Sequence, residues 1–327
     1  MDRAELVFDA PNSVHTEITT PMATVDSVHH PKTGTWQYIV ADPNTLDAVI
    51  IDPVMDFDAA TRTVTTETAD RLVSLVKKKG YRIVHILETH VHADHVTAAS
   101  YLQSVLEPHQ ACRPAVCIGR RIRDAQQFFG PKYGVPSAEL SSAFDRLLED
   151  DEVFPIGELE ARIVHLPGHT ADHVGYIIGE NVFCGDSVLN ADLGTARCDF
   201  PGGSSKALYK STRKLLGLPS RHKLWTGHDD PSAAERRCPV PYMSVEEQRQ
   251  GNRHVHEHVT EQAFQQMRDE RDAGLGDPEL LHASLQINMR GGRLPKPTPQ
   301  GEYYLRLPQL GFGDCYAEHA AKRWCHV

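Results

Sequence analysis

Apolar residues recur along this chain in two rhythms, short β-branched runs and longer helical stripes, with polar turns between them. Runs over residues 23–28, 36–40 and 48–51 read as strands, separated by Lys32-Thr33-Gly34 and Asp42-Pro43-Asn44. Residues 66–79 then read as an amphipathic helix with Ala69, Leu72, Val73 and Val76 on one face. Thr66 can cap it, Glu67 and Asp70 sit near its start, and Lys77, Lys78 and Lys79 precede Gly80, a charge order that suits the helix dipole. Asp56 and Asp58 before it read as solvated turn residues. Residues 81–87 form a largely apolar strand, and 96–106 a helix with Ala98, Leu102, Val105 and Leu106 on one side.

Further on, 115–118 reads as a strand and 120–129 as a helix broken by Gly130-Pro131, with Arg120, Arg121 and Arg123 on a solvated face. A second set of strands follows at 158–166, 174–178, 181–184 and 222–226, with a loop over 194–203 and a helix over 204–216. From Ser244 the pattern turns helical, over 245–259 and 261–272, and His254, His256 and His258 fall on a solvated helix. Residues 287–294 read as an extended return, and the tail from Gly311 as a peripheral appendage. This divides the chain into a catalytic unit over 1–240 and a mostly helical extension over 241–327 packed on it.

The chemistry sits where strands end. Glu88-Thr89-His90-Val91-His92-Ala93-Asp94-His95 follows the 81–87 strand, and His169, Asp186 and His228 each follow a later strand, directly after a glycine. Strand carboxyl ends are where α/β sheets place ligands. Imidazoles and carboxylates this close together are first-row metal ligands. Seven candidates (His90, His92, Asp94, His95, His169, Asp186 and His228) exceed what one four-coordinate ion needs, and suffice for two if one carboxylate bridges.

Composition narrows the remaining choices. A net charge of -10 over 327 residues argues against a nucleic-acid groove or an anionic membrane surface as partner, leaving a small-molecule substrate. No apolar run is long enough to cross a bilayer, and the amino terminus has no apolar signal segment, so a cytoplasmic location is expected. The 7 cysteines are odd in number and contain no C-x-x-C, so reduced thiols are expected.

His90 to His95 matches the H-x-H-x-D-H signature, and Gly168-His169-Thr170, Gly185-Asp186 and Gly227-His228 follow in the same order as in the metallo-β-lactamase superfamily, which this chain resembles over about residues 22–230. The resemblance implies an α/β fold, an αββα four-layer sandwich with the site on one edge. It implies one metal on the residues matching His90, His92 and His169, a second on those matching Asp94, His95 and His228, and Asp186 between them. It also implies a possible homodimer. The loop Gly194-Thr195-Ala196-Arg197-Cys198-Asp199-Phe200-Pro201-Gly202-Gly203 is similar to the persulfide dioxygenase branch, near glyoxalase II, as is the stretch from Gln286 to Pro295. That branch implies one iron on His90, His169 and Asp186, where two histidines and a carboxylate leave open positions.

Two positions depart from the dioxygenase pattern. His173 stands where that branch has a small residue, and Asp230 where it has tyrosine. On those departures the sequence favours a hydrolase opening a small cyclic amide, carbamate or lactam, with two divalent ions, zinc by preference, and a hydroxide oriented by Asp94. Arg197 either holds a substrate oxyanion or carboxylate, or pairs with Asp199. The alternative is oxidation of glutathione persulfide at mononuclear iron(II); a third reading is a metal-binding scaffold without catalysis.

Overall fold

The structure, a computed structural model, describes residues 22–231 and 238–308. In chain order these form β1 (Thr24–His30), β2 (Thr35–Ala41), β3 (Asp47–Ile51), β4 (Val54–Asp58), β5 (Thr63–Thr65), α1 (Glu67–Lys79), β6 (Arg82–Glu88), β7 (Val96–Thr97), α2 (Ala99–Leu106) and β8 (Ala115–Gly119). There follow α3 (Ile122–Tyr133), α4 (Ser137–Ser141), β9 (Arg146–Leu148), β10 (Val153–Ile156), β11 (Leu159–His165), β12 (Val174–Ile178) and β13 (Asn181–Gly185). The remainder is α5 (Ser205–Leu216), β14 (Lys223–Thr226), β15 (Tyr242–Ser244), α6 (Val245–Gly251), α7 (Glu261–Asp272) and α8 (Leu281–Asn288).

Two six-stranded sheets stack face to face, ordered β1-β2-β3-β6-β8-β9 and β10-β11-β12-β13-β14-β15. Strand alternation explains the layers. In β2, Trp36, Tyr38 and Val40 point between the sheets, while Ile39 and Ala41 point outward to the face covered by α1 and α2. Val49 and Ile51 of β3 likewise face inward, and Ala48 and Ile50 outward. Strands buried on both faces need continuous apolar runs, which is what the sequence shows there. On the other side Leu208 and Leu215 of α5 and Phe264 of α7 cover the second sheet with Val182 and Leu224. Each such buried aliphatic side chain contributes about 1.5–3 kcal/mol. The result is the αββα sandwich. Tyr38 crosses the interior and donates its hydroxyl to the carbonyl of Thr226, at 2.5 Å, which ties the first sheet to β14 beside His228.

Several local expectations are corrected. Thr66 does not cap α1; its hydroxyl donates to Asp70. Asp56 does the capping from β4, accepting from the amide and hydroxyl of Thr68, so it is not a solvated turn residue. Residues 96–97 are a strand, because they pair with β4, and the helix starts at Ala99. α3 runs through Pro131 to Tyr133 although the proline removes an N–H from its last turn, where buried Phe129 and Tyr133 anchor the helix. α6 stops at Gly251 instead of continuing to 259. The Oδ1 of Asn252 accepts from the amides of His254 and Val255 and competes with the helical pattern. His254 is consequently buried and not on a solvated helix. The expected extended return begins as helix: α8 reaches Asn288, with Leu281, Leu285 and Met289 facing α3 and α4. The appendage from Gly311 lies outside the described residues.

Candidate metal centre

Four loops at one edge of the sandwich bring the candidate residues together. His90, His92, Asp94 and His95 follow β6, His169 follows β11, Asp186 follows β13 and His228 follows β14. Local glycines make the convergence possible. A Cβ on Gly227 would stand 2.2 Å from Oδ1 of Asp186, and one on Gly168 would stand 2.3 Å from the backbone of Leu208.

Asp186 is central. Its Oδ2 lies 3.9 Å from Nε2 of His90, 3.6 Å from Nε2 of His169 and 3.6 Å from Nε2 of His228. Two ligands each ~2.1 Å from one ion stand roughly 3–3.5 Å apart, so these spacings approach those of a metal cage. His90, His169 and Asp186 form one compact group, their ligand atoms within 4.8 Å of one another. Asp94, Asp186 and His228 form a second, and His92, Asp94 and His95 a third. Nε2 of His90, Nδ1 of His92 and Nε2 of His95 are buried without a hydrogen-bond partner. Orphaned nitrogens of this kind are costly unless something binds them, so the residues fit a divalent metal.

Hydrogen bonds on the far side of each ring set its tautomer. Thr89 donates its hydroxyl to Asp52 at 2.8 Å and lies 3.0 Å from Nδ1 of His90, which therefore carries the proton and leaves Nε2 bare. His169 Nδ1 donates to the carbonyl of Arg197 at 2.8 Å, and His228 Nδ1 to that of Thr33 at 3.2 Å. His92 turns its Nε2 to Asp52, at 3.1 Å, and to Glu88, at 3.2 Å. Carboxylates behind histidines orient metal ligands and raise their basicity.

Charge divides the centre. Burial, with His92, His173 and His169 nearby, holds the pKa of His90 well below its usual 6.5, so it stays neutral. Burial opposes charge on His228, but Asp186 and Asp94 prevail and lift it to about 10. Burial likewise opposes charge on His92, and Asp52 and Glu88 hold it well above 6.5. Asp94 is kept well below the usual carboxylate range: its desolvation is outweighed by His228, at 3.1 Å, and His95, at 3.2 Å.

A cavity of about 440 Å³ opens onto Asp94, His169, Asp186 and His228 and is walled by Phe129, Phe200, Leu275 and Leu281. Arg197 lines it, and its guanidinium pairs with both carboxylate oxygens of Asp199 and donates to the carbonyl of Gly276. The two departures noted in the sequence do not touch this cavity wall. His173 is fully buried, stacks on His90 and accepts from the amide of Asp186 at 3.1 Å, and Asp230 is exposed beside Gly34.

A family model for the metallo-beta-lactamase superfamily matches residues 31–228. The chain belongs to the metallo-β-lactamase superfamily. It is 40% identical over 279 residues to a beta-lactamase hydrolase-like protein of Agrobacterium fabrum, covering 85% of this chain and 63% of that one. This superfamily member thus spans less than two thirds of that relative's length. It is 37% identical to glyoxylase B2 of Dictyostelium discoideum, covering 85% and 94%, and 27% identical to the bovine mitochondrial persulfide dioxygenase ETHE1, covering 82% and 88%. The crystal structure of ETHE1 from Myxococcus xanthus shares its fold, with a TM-score of 0.65 at 24% identity over 83% of this chain and 100% of that one. The sequence relatives place the protein in the glyoxalase II and ETHE1-like branch of the superfamily. Among the described residues no helix is long and apolar enough to cross a membrane.

Sequence reasoning missed Asp52, Glu88 and Thr89 behind the histidines, although Asp52 ends β3 in the same way that the ligand loops end theirs. It also missed the buried pair Arg268–Asp272 in α7. Arg268 donates to the carbonyl of Thr195, and Asp272 accepts from the amide of Cys198, which fixes the loop whose Arg197 carbonyl orients His169. No local pattern distinguishes those two charges from a solvated helix face.

Proposed function

We propose that this protein is a persulfide dioxygenase acting on a small thiol-derived persulfide, with iron(II) held by His90, His169 and Asp186. The observation that carries this reading is the compact group of two histidines and one carboxylate, set apart from His92, which instead groups with Asp94 and His95 and turns Nε2 to Asp52 and Glu88. Iron held this way supplies open positions for a sulfur donor and for dioxygen. The named persulfide dioxygenase among the relatives supports the same chemistry, and so does the position of His173 and Asp230 off the cavity wall.

The chain's own residues would then do the following. Phe129, Phe200, Leu275 and Leu281 keep the sulfur end of the substrate away from water. Arg271, exposed on the cavity lining and in no ion pair among the described residues, meets a substrate carboxylate. In balanced form R–S–SH, dioxygen and water give R–SH, sulfite and two protons: the S–S bond breaks, the outer sulfur is oxidised and dioxygen is reduced. Asp94 and His228, an ion pair 3.1 Å apart on the cavity lining, face the reacting atoms, and the two protons pass to water.

A second reading is hydrolysis of a cyclic amide, carbamate, lactam or thioester with two divalent ions, zinc among them. The group Asp94, Asp186 and His228 favours it, since it provides the second set of ligands. Elemental analysis of protein made without added metal, with oxygen uptake on glutathione persulfide, separates the two. One iron per chain and persulfide-dependent uptake are expected; two zinc ions with ring opening or thioester cleavage would replace this reading by the hydrolase.

A further inference from the structure

The superfamily match ends at residue 228, yet the H-x-H-x-D-H loop is gripped by a residue far beyond it. Asn288, the last residue of α8, is 4% exposed. Its Nδ2 donates to the carbonyls of His92 and His95, each at 2.8 Å, and its Oδ1 accepts from the amide of Thr97 at 2.9 Å. One carboxamide therefore spends both donors and its acceptor on three residues, His92, His95 and Thr97. The turn after α8 presses on the same corner: a Cβ on Gly292, at φ +83°, would stand 3.0 Å from the amide of Ser100 and 3.1 Å from the carbonyl of Thr97.

The rings attached to those carbonyls are aimed inward with nothing to hold their inner nitrogens. Nδ1 of His92 and Nε2 of His95 are buried and unpartnered. Their direction is set by the backbone and by outer contacts alone, and a metal site tolerates ligand errors of only about 0.2 Å. We propose that Asn288 is a positioning residue of the metal centre: by fixing the carbonyls of His92 and His95 it sets the aim of the two rings that complete the site around Asp94. The extension after the superfamily domain is on this view part of the metal-binding apparatus, whichever ion and reaction the centre serves. It concerns the group of His92, Asp94 and His95, and not the identity of an ion held by His90, His169 and Asp186.

Cobalt(II) is the probe, because its visible absorption reports ligand geometry independently of turnover. Asn288→Asp keeps the volume and the acceptor for Thr97 and removes both donors; Asn288→Leu removes all three bonds. Both full-length variants are expected to bind cobalt(II) about 10–100-fold more weakly, the range for partners that orient metal ligands. Both should show an altered ligand-field spectrum, with the metal-free melting temperature of Asn288→Asp within a few degrees of the parent. Wild-type affinity and spectrum in a folded Asn288→Asp would overturn the proposal. So would a loss of folding in both variants, because the carboxamide would then be holding the fold and not the ligands.

Discussion

The two sides of the metal centre are built from the same residue types and behave differently. On one side His90 is neutral, with its Nε2 bare and facing Asp186. On the other, His228 and Asp94 already satisfy each other as an ion pair, with His95 leaning on the same carboxylate. A cation enters the first side without displacing anything. On the second it must first drive a proton from His228. The same residue types thus give two candidate groups of unequal readiness for a cation, and the difference comes from which charges stand nearby.

The largest effect that can break this comparison is removal of a shared or triad ligand. His169→Ala and Asp186→Asn are expected to abolish activity and to lower bound metal by more than the roughly 10–100-fold that orienting partners cost; metal content by elemental analysis checks it. If either variant kept full metal, the triad would not be the primary site. His228→Ala, by contrast, should retain one ion per chain.

Acidity sharpens the contrast next. With the pKa of His228 at about 10, binding on its side releases a proton below that pH, so affinity there should rise roughly tenfold per pH unit between 6.5 and 8.5. Binding at the His90 side should be nearly flat over the same range. Competition titrations at three pH values test this, and equal slopes would erase the distinction. The sign for the metal-free fold is opposite: a histidine pKa raised on folding stabilises fully below pH 6.5, and that help fades as pH climbs toward about 10.

Smaller effects probe the supports. Asp52→Asn removes the charge behind His92 and should weaken metal binding by roughly 10–100-fold at fixed pH, seen by chelator competition. Arg271→Ala should leave metal content alone and raise the KM of an anionic persulfide severalfold, about 1 kcal/mol or less for so exposed a cation. An unchanged KM would remove Arg271 from substrate recognition.

The alternating strands and the amphipathic α1 and α5 were legible because their periodicity matches their packing, and the glycine-led turns marked where the sheets end. Other features were hidden because their causes are distant in sequence. α6 ends where the side-chain oxygen of Asn252 accepts from the amide of His254, and α8 exists because its buried polar residues, Gln286 and Asn288, find partners elsewhere in the chain. The metal-ligand candidates were visible as a motif. What orients them was not: Asp52, Asn288 and Arg268 carry no signature of their own. The pairing of Arg197 with Asp199 was one of the two readings the sequence had offered.

The missing side chain at Gly227 has a consequence for how such a protein can change over generations. Any replacement there drives an atom into the carboxylate of Asp186, so that codon is closed to neutral drift. The cavity wall at Leu275 or Arg271 is not confined in this way, and descendants can exchange their substrates at that rim while inheriting the floor unaltered.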